Sequence, residues 1–172
     1  MNTYRTIHDI DSHLTGSRTR RVWDYWRRQA GSASAPAWDG FKLMDVYQDA
    51  PIMLVLDVLP RPDHTDFRYR FVGTTIVQNR WKLDVPDHTG LTYFESRHQD
   101  DFNEVKESYD RCVGTGQPIL MRRNFETYDA LGTHERLILP LQGPSDDIDK
   151  LVVVVERLKE RKTLRPTDPH LF

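Results

Sequence analysis

The side chains that could carry out chemistry in this chain are few and scattered. Acid–base catalysis needs two proton-transferring groups in one cavity, and Asp57, His134 and Glu135 are the candidates for such a pair. Residues 8–13 contain four potential metal ligands without regular spacing, so we interpret this segment as a solvated arm. The chain has no phosphate-binding glycine loop, nucleophile elbow or paired-cysteine zinc motif. This pattern favours binding over catalysis.

Composition and charge are those of one globular domain. The chain has 172 residues, of which 38% are hydrophobic and 29% charged. Its net charge of −2 lacks the basic excess of most nucleic-acid binders, and its single cysteine excludes an intramolecular disulfide. No apolar run is long enough to span a membrane, and the polar N-terminus does not resemble a signal peptide. We therefore expect a cytoplasmic protein.

The N-terminal region predicts a flexible arm and then an amphipathic helix. Residues 1–16 show no regular period, whereas residues 17–31 have a Ser17 cap, an apolar stripe and a closing Gly31. The stripe contains Val22, Trp23 and Trp26. We interpret the arginines on the opposite side as a solvated face, with phosphate or nucleic-acid contact as the lesser alternative. These arginines are Arg18, Arg20, Arg21, Arg27 and Arg28.

The rest of the chain alternates between strand and helix patterns. Residues 52–59 and 66–72 predict a hairpin, and the period of two places Phe67, Tyr69 and Phe71 on one face. A short helix from residue 74 and a longer helix from about residue 101 follow. Residues 119–128, 135–141 and 151–156 predict three more strands, the last buried on both faces. Residues 159–172 form a charged C-terminal tail.

Several segments resemble the PAS domain superfamily, in particular a bacterial family of short, stand-alone PAS-type proteins. Residues 22–27 (VWDYWR) resemble that family's opening helix, and residues 67–74 (FRYRFVGT) resemble its second strand and the step into the next helix. Thr89–Gly90 with Leu91 and Phe94 is similar to a further fixed point, and residues 135–141 (ERLILPL) resemble the fourth strand. The resemblance covers about residues 20–158. Residues 81–88 depart from it, because they lack a usual glycine and are longer.

The resemblance implies an α+β fold in which helices cross one face of a five-stranded antiparallel sheet. A single domain would span residues 17–158. It implies a sensory or regulatory module that binds a small molecule between the inner sheet face and the helices, or a regulatory protein through the sheet. The opening helix would form a homodimer or partner interface through Val22, Trp23 and Trp26. The alternative is that these residues cover the core of their own chain.

The candidate pocket residues are those expected on the inner sheet face or on the facing helices. For each of them, ordinary core packing is the alternative. Arg70, Arg123 and Tyr109 could supply the converging polar groups that a ligand pocket needs. The proposed ligand-binding set is Tyr69, Phe71, Trp81, Phe94, Phe102, Tyr109, Met121, Arg123 and Phe125.

Two cofactors found in some PAS domains are not expected. Haem is held there by a histidine on the longer helix, and residues 102–113 contain none. Flavin photoreceptors need a reactive cysteine in a local motif, whereas Cys112 lies on an apolar helical stripe and is read as a buried structural thiol. Two further functions stay open: a small isomerase or dehydratase on a cone-shaped α+β fold, and a structural interaction module with a filled core.

Overall fold

The architecture is one antiparallel sheet with helices on both of its faces. The structure is a computed structural model that describes residues 5–7, 9–79, 86–96, 102–126 and 130–162. Its strands are β1 (Arg5–Ile7), β2 (Met53–Pro60), β3 (Thr65–Val72), β4 (Ile119–Glu126), β5 (Ala130–Gln142) and β6 (Ile148–Lys162). They lie in the order β1-β4-β5-β6-β2-β3, and every neighbouring pair is antiparallel. The α+β class and an open antiparallel sheet of the five predicted strands are confirmed, and β1 adds a short sixth strand at one edge.

The helices differ in length and in the face they cover. They are α1 (Ile10–His13), α2 (Ser17–Ala30), α3 (Thr74–Asn79) and α4 (Phe102–Thr115). Three short 3-10 turns at Trp38–Gly40, Leu43–Val46 and Ala50–Ile52 connect α2 to β2. The C-terminus of α2 lies where predicted, because Gly31 takes a positive φ of 57° and its N–H closes on the Arg27 carbonyl.

Two separate cores lie on opposite faces of the sheet, so the N-terminal helices cover a face that the later helices do not. Helices α1 and α2 cover one face, here called the outer face. Helices α3 and α4 cover the other, here called the inner face. Along β6, Val152 and Val154 belong to the outer core, whereas Leu151 and Val153 belong to the inner core, and all four are fully buried. The prediction that β6 is buried on both faces is therefore confirmed.

A bulge in the β2–β3 hairpin corrects the predicted face of Phe71. Leu56 pairs with Tyr69 but Val55 pairs with Phe71, so β3 contains one extra residue at this point. Because side chains alternate along a strand, that residue sends Phe71 to the outer core while Tyr69 stays on the inner face.

Gly73, at the corner between β3 and α3, is required for close packing. Its φ is not positive, so a left-handed backbone is not the reason for the glycine. A Cβ atom at this position would instead overlap the carbonyl oxygens of Ala50 and Pro51. The glycine thus lets the Ala50–Ile52 turn lie directly against the strand end.

Both chain ends contain more regular structure than predicted. Within the expected arm, Arg5–Ile7 pairs with β4, and Ile10 and Leu14 are buried in the outer core. At the other end, β6 continues to Lys162 and pairs with β5, so the strand extends past residue 158 into the predicted tail. These extensions form because the N-terminal segment pairs with β4 and the end of β6 pairs with β5. Pairing between distant segments cannot be predicted from local composition.

Candidate functional site

Three of the predicted pocket residues are almost completely buried on the inner face. Tyr69, Tyr109 and Met121 are buried there, with 3%, 1% and 2% of their surface exposed. Phe71 does not join them, since it lies on the outer face. The predicted contributions of Trp81 and of the side chains of Phe102 and Phe125 lie outside the described residues.

Aromatic rings form a continuous cluster beneath α4, here called the aromatic cluster. Tyr109 meets Phe67 and Tyr93 edge to face, with centroid distances of 5.3 Å and 5.6 Å. Tyr69 lies 6.4 Å from Tyr93 and 5.6 Å from the buried ring of His88. Such pairs add about 0.5–1.5 kcal/mol each beyond area burial.

The sequence reasoning missed His88 and Tyr93, which reach the cluster through backbone pairing along β3. Tyr69 donates its N–H to the Leu91 carbonyl, and Tyr93 donates its N–H to the Phe67 carbonyl. Residues 90–93 therefore lie along the edge of β3, where Thr92 and Arg68 form an isolated antiparallel bridge. The Thr89–Gly90 turn before a strand-like triplet was the available signal.

Phe94 lies at the margin of this cluster. Its ring meets His64, from the β2–β3 turn, edge to face at 5.2 Å, and the Lys106 ammonium lies 5.8 Å from its centroid. Phe94 is only half-buried. It covers the side of the aromatic cluster next to that turn.

A group of basic side chains, here called the basic rows, occupies the same face on β4, β5 and β6. Arg123 is paired across β4–β5 with His134, which is paired across β5–β6 with Arg157. Arg136 lies one inward-facing position further along β5 and is 9% exposed. The Nε of Arg157 lies 3.1 Å from Nε2 of His134. Because arginine keeps its protons, Nε–H donates and the histidine nitrogen accepts.

The third predicted polar group, Arg70, is not part of this site. It points to the outer side of the hairpin and donates from Nε to Asp57 over 2.7 Å. This hydrogen bond raises the pKa of Arg70 above its ordinary value. Of the predicted polar groups, Tyr109 and Arg123 therefore share the inner face and Arg70 does not.

Cys112 is buried between α4 and the sheet, with no exposed surface. Removal from water disfavours the thiolate and raises the pKa of this thiol well above its ordinary value. Since the thiolate is the nucleophilic form, the side chain is suited to packing and not to adduct formation.

The acid–base candidates do not converge. Glu135 points to the outer face, whereas its neighbour His134 points to the inner face, because alternate residues of a strand face opposite sides. Asp57 lies on another strand, β2, and accepts a hydrogen bond from Arg70 of β3. These three side chains cannot act together on one substrate.

Glu135 instead anchors α2 to the sheet. Its carboxylate is fully buried and accepts hydrogen bonds from the Gly16 N–H at 2.9 Å, the Thr15 N–H at 3.2 Å and the Arg122 Nη2 at 2.8 Å. Glu156, directly opposite on β6, accepts the Thr19 N–H at 2.8 Å. The N-cap residue Gly16 has no side chain that could accept a hydrogen bond from these amides. The two carboxylates therefore act as the acceptors at the start of α2. The prediction that Ser17 caps α2 is wrong, because the N-cap residue is Gly16.

The predicted interface residues lie in the core of their own chain. Val22, Trp23 and Trp26 are 0%, 7% and 5% exposed, and the two indole rings stack at 5.4 Å. Trp26 donates from Nε1 to the Pro140 carbonyl over 2.9 Å. These side chains therefore contribute to the core of their own chain, which is the alternative that the sequence left open.

The arginines on the other side of α2 are held by carboxylates of the same chain. Arg18 and Arg21 donate to the buried carboxylate of Asp49 at 3.1 Å and 2.6 Å, and Arg20 and Arg27 donate to Asp11. A cleft of about 290 Å³ lies between α2 and the Leu43–Val46 turn. Arg28 lines this cleft, and its guanidinium lies over the Tyr25 ring. Four of the five arginines on this face are thus bound by carboxylates of the same chain. This arrangement does not favour contact with nucleic acid.

The described part of the chain contains neither a cluster of metal-ligating side chains nor a helix that could span a membrane. No group of three or more His, Cys, Asp or Glu side chains there could hold a metal ion. None of the described helices has the length and apolar character needed to cross a bilayer.

Comparison with known proteins gives no match for this chain, either among protein-family models or among curated proteins.

Proposed function

We propose that this chain is a PAS-type sensory or regulatory module that binds a small molecule on the inner face of its sheet. One observation carries the proposal: the aromatic cluster and the basic rows occupy the same face of one sheet, beside α4. Apolar walls with a few convergent polar groups are the usual composition of a ligand pocket. The antiparallel sheet with α4 across this face also agrees with the family that residues 67–74 and 135–141 resemble.

A change at the inner face would be transmitted to helix α2 on the outer face. Strands β5 and β6 place alternate side chains in both cores, so a shift of either strand on the inner face also moves the residues that contact α2. Glu135 lies next to Arg136 in sequence, with one side chain on each face. A ligand can change the position of α2 only as far as it binds the two arrangements with different affinity. Output would then pass through a protein interface.

Native mass spectrometry tests the proposal directly. Freshly purified protein is compared with the same sample under denaturing conditions, and we expect a non-covalent adduct that is lost on denaturation. Hydrogen exchange should then show slower exchange around Tyr109 and a change in α2 when the identified compound is added back. A clean apo mass, together with no exchange response to compounds extracted from the expression host, would contradict the proposal.

A structural interaction module is the second candidate, and the packing of the aromatic cluster favours it. Phe67, Tyr93 and Tyr109 are 0%, 5% and 1% exposed, so this end of the inner face is filled by the protein itself. The exposed Met44 and Tyr47, on the turn beside α2, would then supply partner contact. A charge introduced by Tyr47→Glu should abolish capture of a partner in this case and leave small-molecule binding unchanged.

A further inference from the structure

We propose that the cleft between α2 and the Leu43–Val46 turn is a second binding site, whose ligand is a small zwitterion of the α-amino acid class. The cleft has a volume of about 290 Å³, close to the lower end of the range for ligand pockets, about 300–1,000 Å³. It lies on the outer side of the sheet, so this inference does not depend on the function proposed for the inner face. The charged side chains on the two walls of the cleft point to this ligand class.

The two walls of the cleft come from α2 and from the segment that follows the Leu43–Val46 turn. Four side chains of α2 form one wall, at spacings of three and four residues that place them on the same side of the helix. These are Arg21, Asp24, Tyr25 and Arg28. Residues 45–49 form the opposite wall, which contributes the carboxylates of Asp45 and Asp49. The cleft therefore contains two guanidinium groups and three carboxylates.

Hydrogen bonds within the chain occupy two of these carboxylates and one of the guanidinium groups. Asp49 accepts from Arg18 at 3.1 Å and from Arg21 at 2.6 Å. Asp45 accepts from the Tyr25 hydroxyl at 2.8 Å. These contacts link α2 to the opposite wall and fix the shape of the cleft.

The remaining two charged groups of the cleft are those of Asp24 and Arg28. Neither forms a hydrogen bond or an ion pair with any residue that the structure describes. The Arg28 guanidinium lies over the Tyr25 ring instead, 6.0 Å from its centroid. Direct pairing of two charges four residues apart adds little stability on an exposed helix surface. A ligand therefore meets one guanidinium and one carboxylate that have no strong partner to give up.

A zwitterion is the ligand class that satisfies both of these groups. Side chains four residues apart on a helix have Cβ atoms about 5–6 Å apart, a spacing that the two charged ends of an α-amino acid can bridge. The ligand carboxylate would accept from the planar fork of Arg28, and the ligand ammonium would donate to Asp24. A simple anion would leave Asp24 unpaired, and a simple cation would leave Arg28 unpaired. The ring of Tyr47, which is 61% exposed, offers contact to an apolar ligand side chain.

The test uses the full chain and three probes that share one aromatic ring. They are L-phenylalanine, 3-phenylpropionate, which lacks the ammonium group, and phenethylamine, which lacks the carboxylate. Each is titrated into ¹⁵N-labelled protein at neutral pH and constant ionic strength, and amide and arginine Nε resonances are followed by NMR. We expect saturable shifts at Arg28 Nε and at amides of residues 21–28 and 45–49 with L-phenylalanine. Removal of either charged group from the probe should weaken binding about tenfold, as expected for loss of a charge-assisted contact.

Variants of α2 test the two assigned side chains. Asp24→Asn and Arg28→Gln should each weaken L-phenylalanine binding about tenfold. Arg27→Gln is the matched control, because Arg27 is the neighbouring residue on the same helix but binds Asp11 and does not line the cleft. It should change the affinity less than twofold. Since the three replaced side chains are exposed or half-buried, the variants should keep the native amide spectrum.

Three outcomes would overturn the proposal. They are the absence of a saturable shift with L-phenylalanine, equal binding of the three probes, and equal weakening by Arg27→Gln. Saturable shifts centred on Tyr109 would also overturn it, because they would place the amino acid on the inner face and support the function proposed there. Native mass spectrometry tests that function separately, so failure of one proposal is distinguishable from failure of the other.

Discussion

At the scale of single residues, Gly73 shows how one missing side chain lets two elements touch. Its Cα faces the carbonyl oxygens of Ala50 and Pro51, which are backbone atoms and cannot rotate away. Gly73→Ala should therefore lower the free energy of unfolding by about 2–3 kcal/mol, because an overpacked site forces the backbone apart. Urea denaturation measures the change.

Gly114→Ala serves as the control for this substitution. Gly114 lies in the last turn of α4, and a Cβ there would meet nothing within 4 Å. Alanine is the better helix former, so this variant should be neutral or more stable by about 0.5–1 kcal/mol. Equal effects of the two substitutions would show that close packing at Gly73 is not the reason for its glycine.

At the scale of elements, the docking of α2 depends on carboxylates that come from the far end of the chain. Glu135→Gln keeps the shape of the side chain but removes the charge that Arg122 and the amides of Thr15 and Gly16 share. We expect a loss of about 1.5–3 kcal/mol, the range for hydrogen bonds to a charged group. Amide exchange at the start of α2 should accelerate more than exchange in β6.

Glu107→Gln is the matched control, since Glu107 is exposed on α4. It should change the free energy of unfolding by less than about 0.5 kcal/mol, as surface substitutions usually do. If Glu135→Gln behaved in the same way, the carboxylate would not be what fastens α2 to the sheet.

At the scale of the whole molecule, the two cores share their strands and should unfold together. Each of β2, β5 and β6 contributes alternate side chains to both cores, so neither layer can separate without disrupting the other. In a Trp81→Phe background, tryptophan fluorescence reports the outer layer through Trp23, Trp26 and Trp38. Its urea midpoint should coincide with that of far-UV circular dichroism, as a two-state transition requires. An earlier fluorescence transition would show that α2 detaches on its own.

Local periodicity made much of the fold predictable from the sequence. The apolar stripe of α2, its stop at Gly31, the alternation in β3 and the unbroken apolar run in β6 each depend on backbone geometry within one element. For the same reason, Tyr69, Tyr109 and Met121 could be assigned to the inner face. These features were determined by the sequence, because neighbours along the chain are enough to produce them.

Contacts between distant residues decided the rest. The bulge that turns Phe71 to the outer face follows from the pairing of β2 with β3, and Gly16 is capped by Glu135, 119 positions away. Trp23 and Trp26 fit either a dimer interface or an internal core, and only the position of α2 against the outer face places them in the core. A stripe or an alternation shows which residues share a face. What covers that face depends on elements that meet only when the whole chain folds.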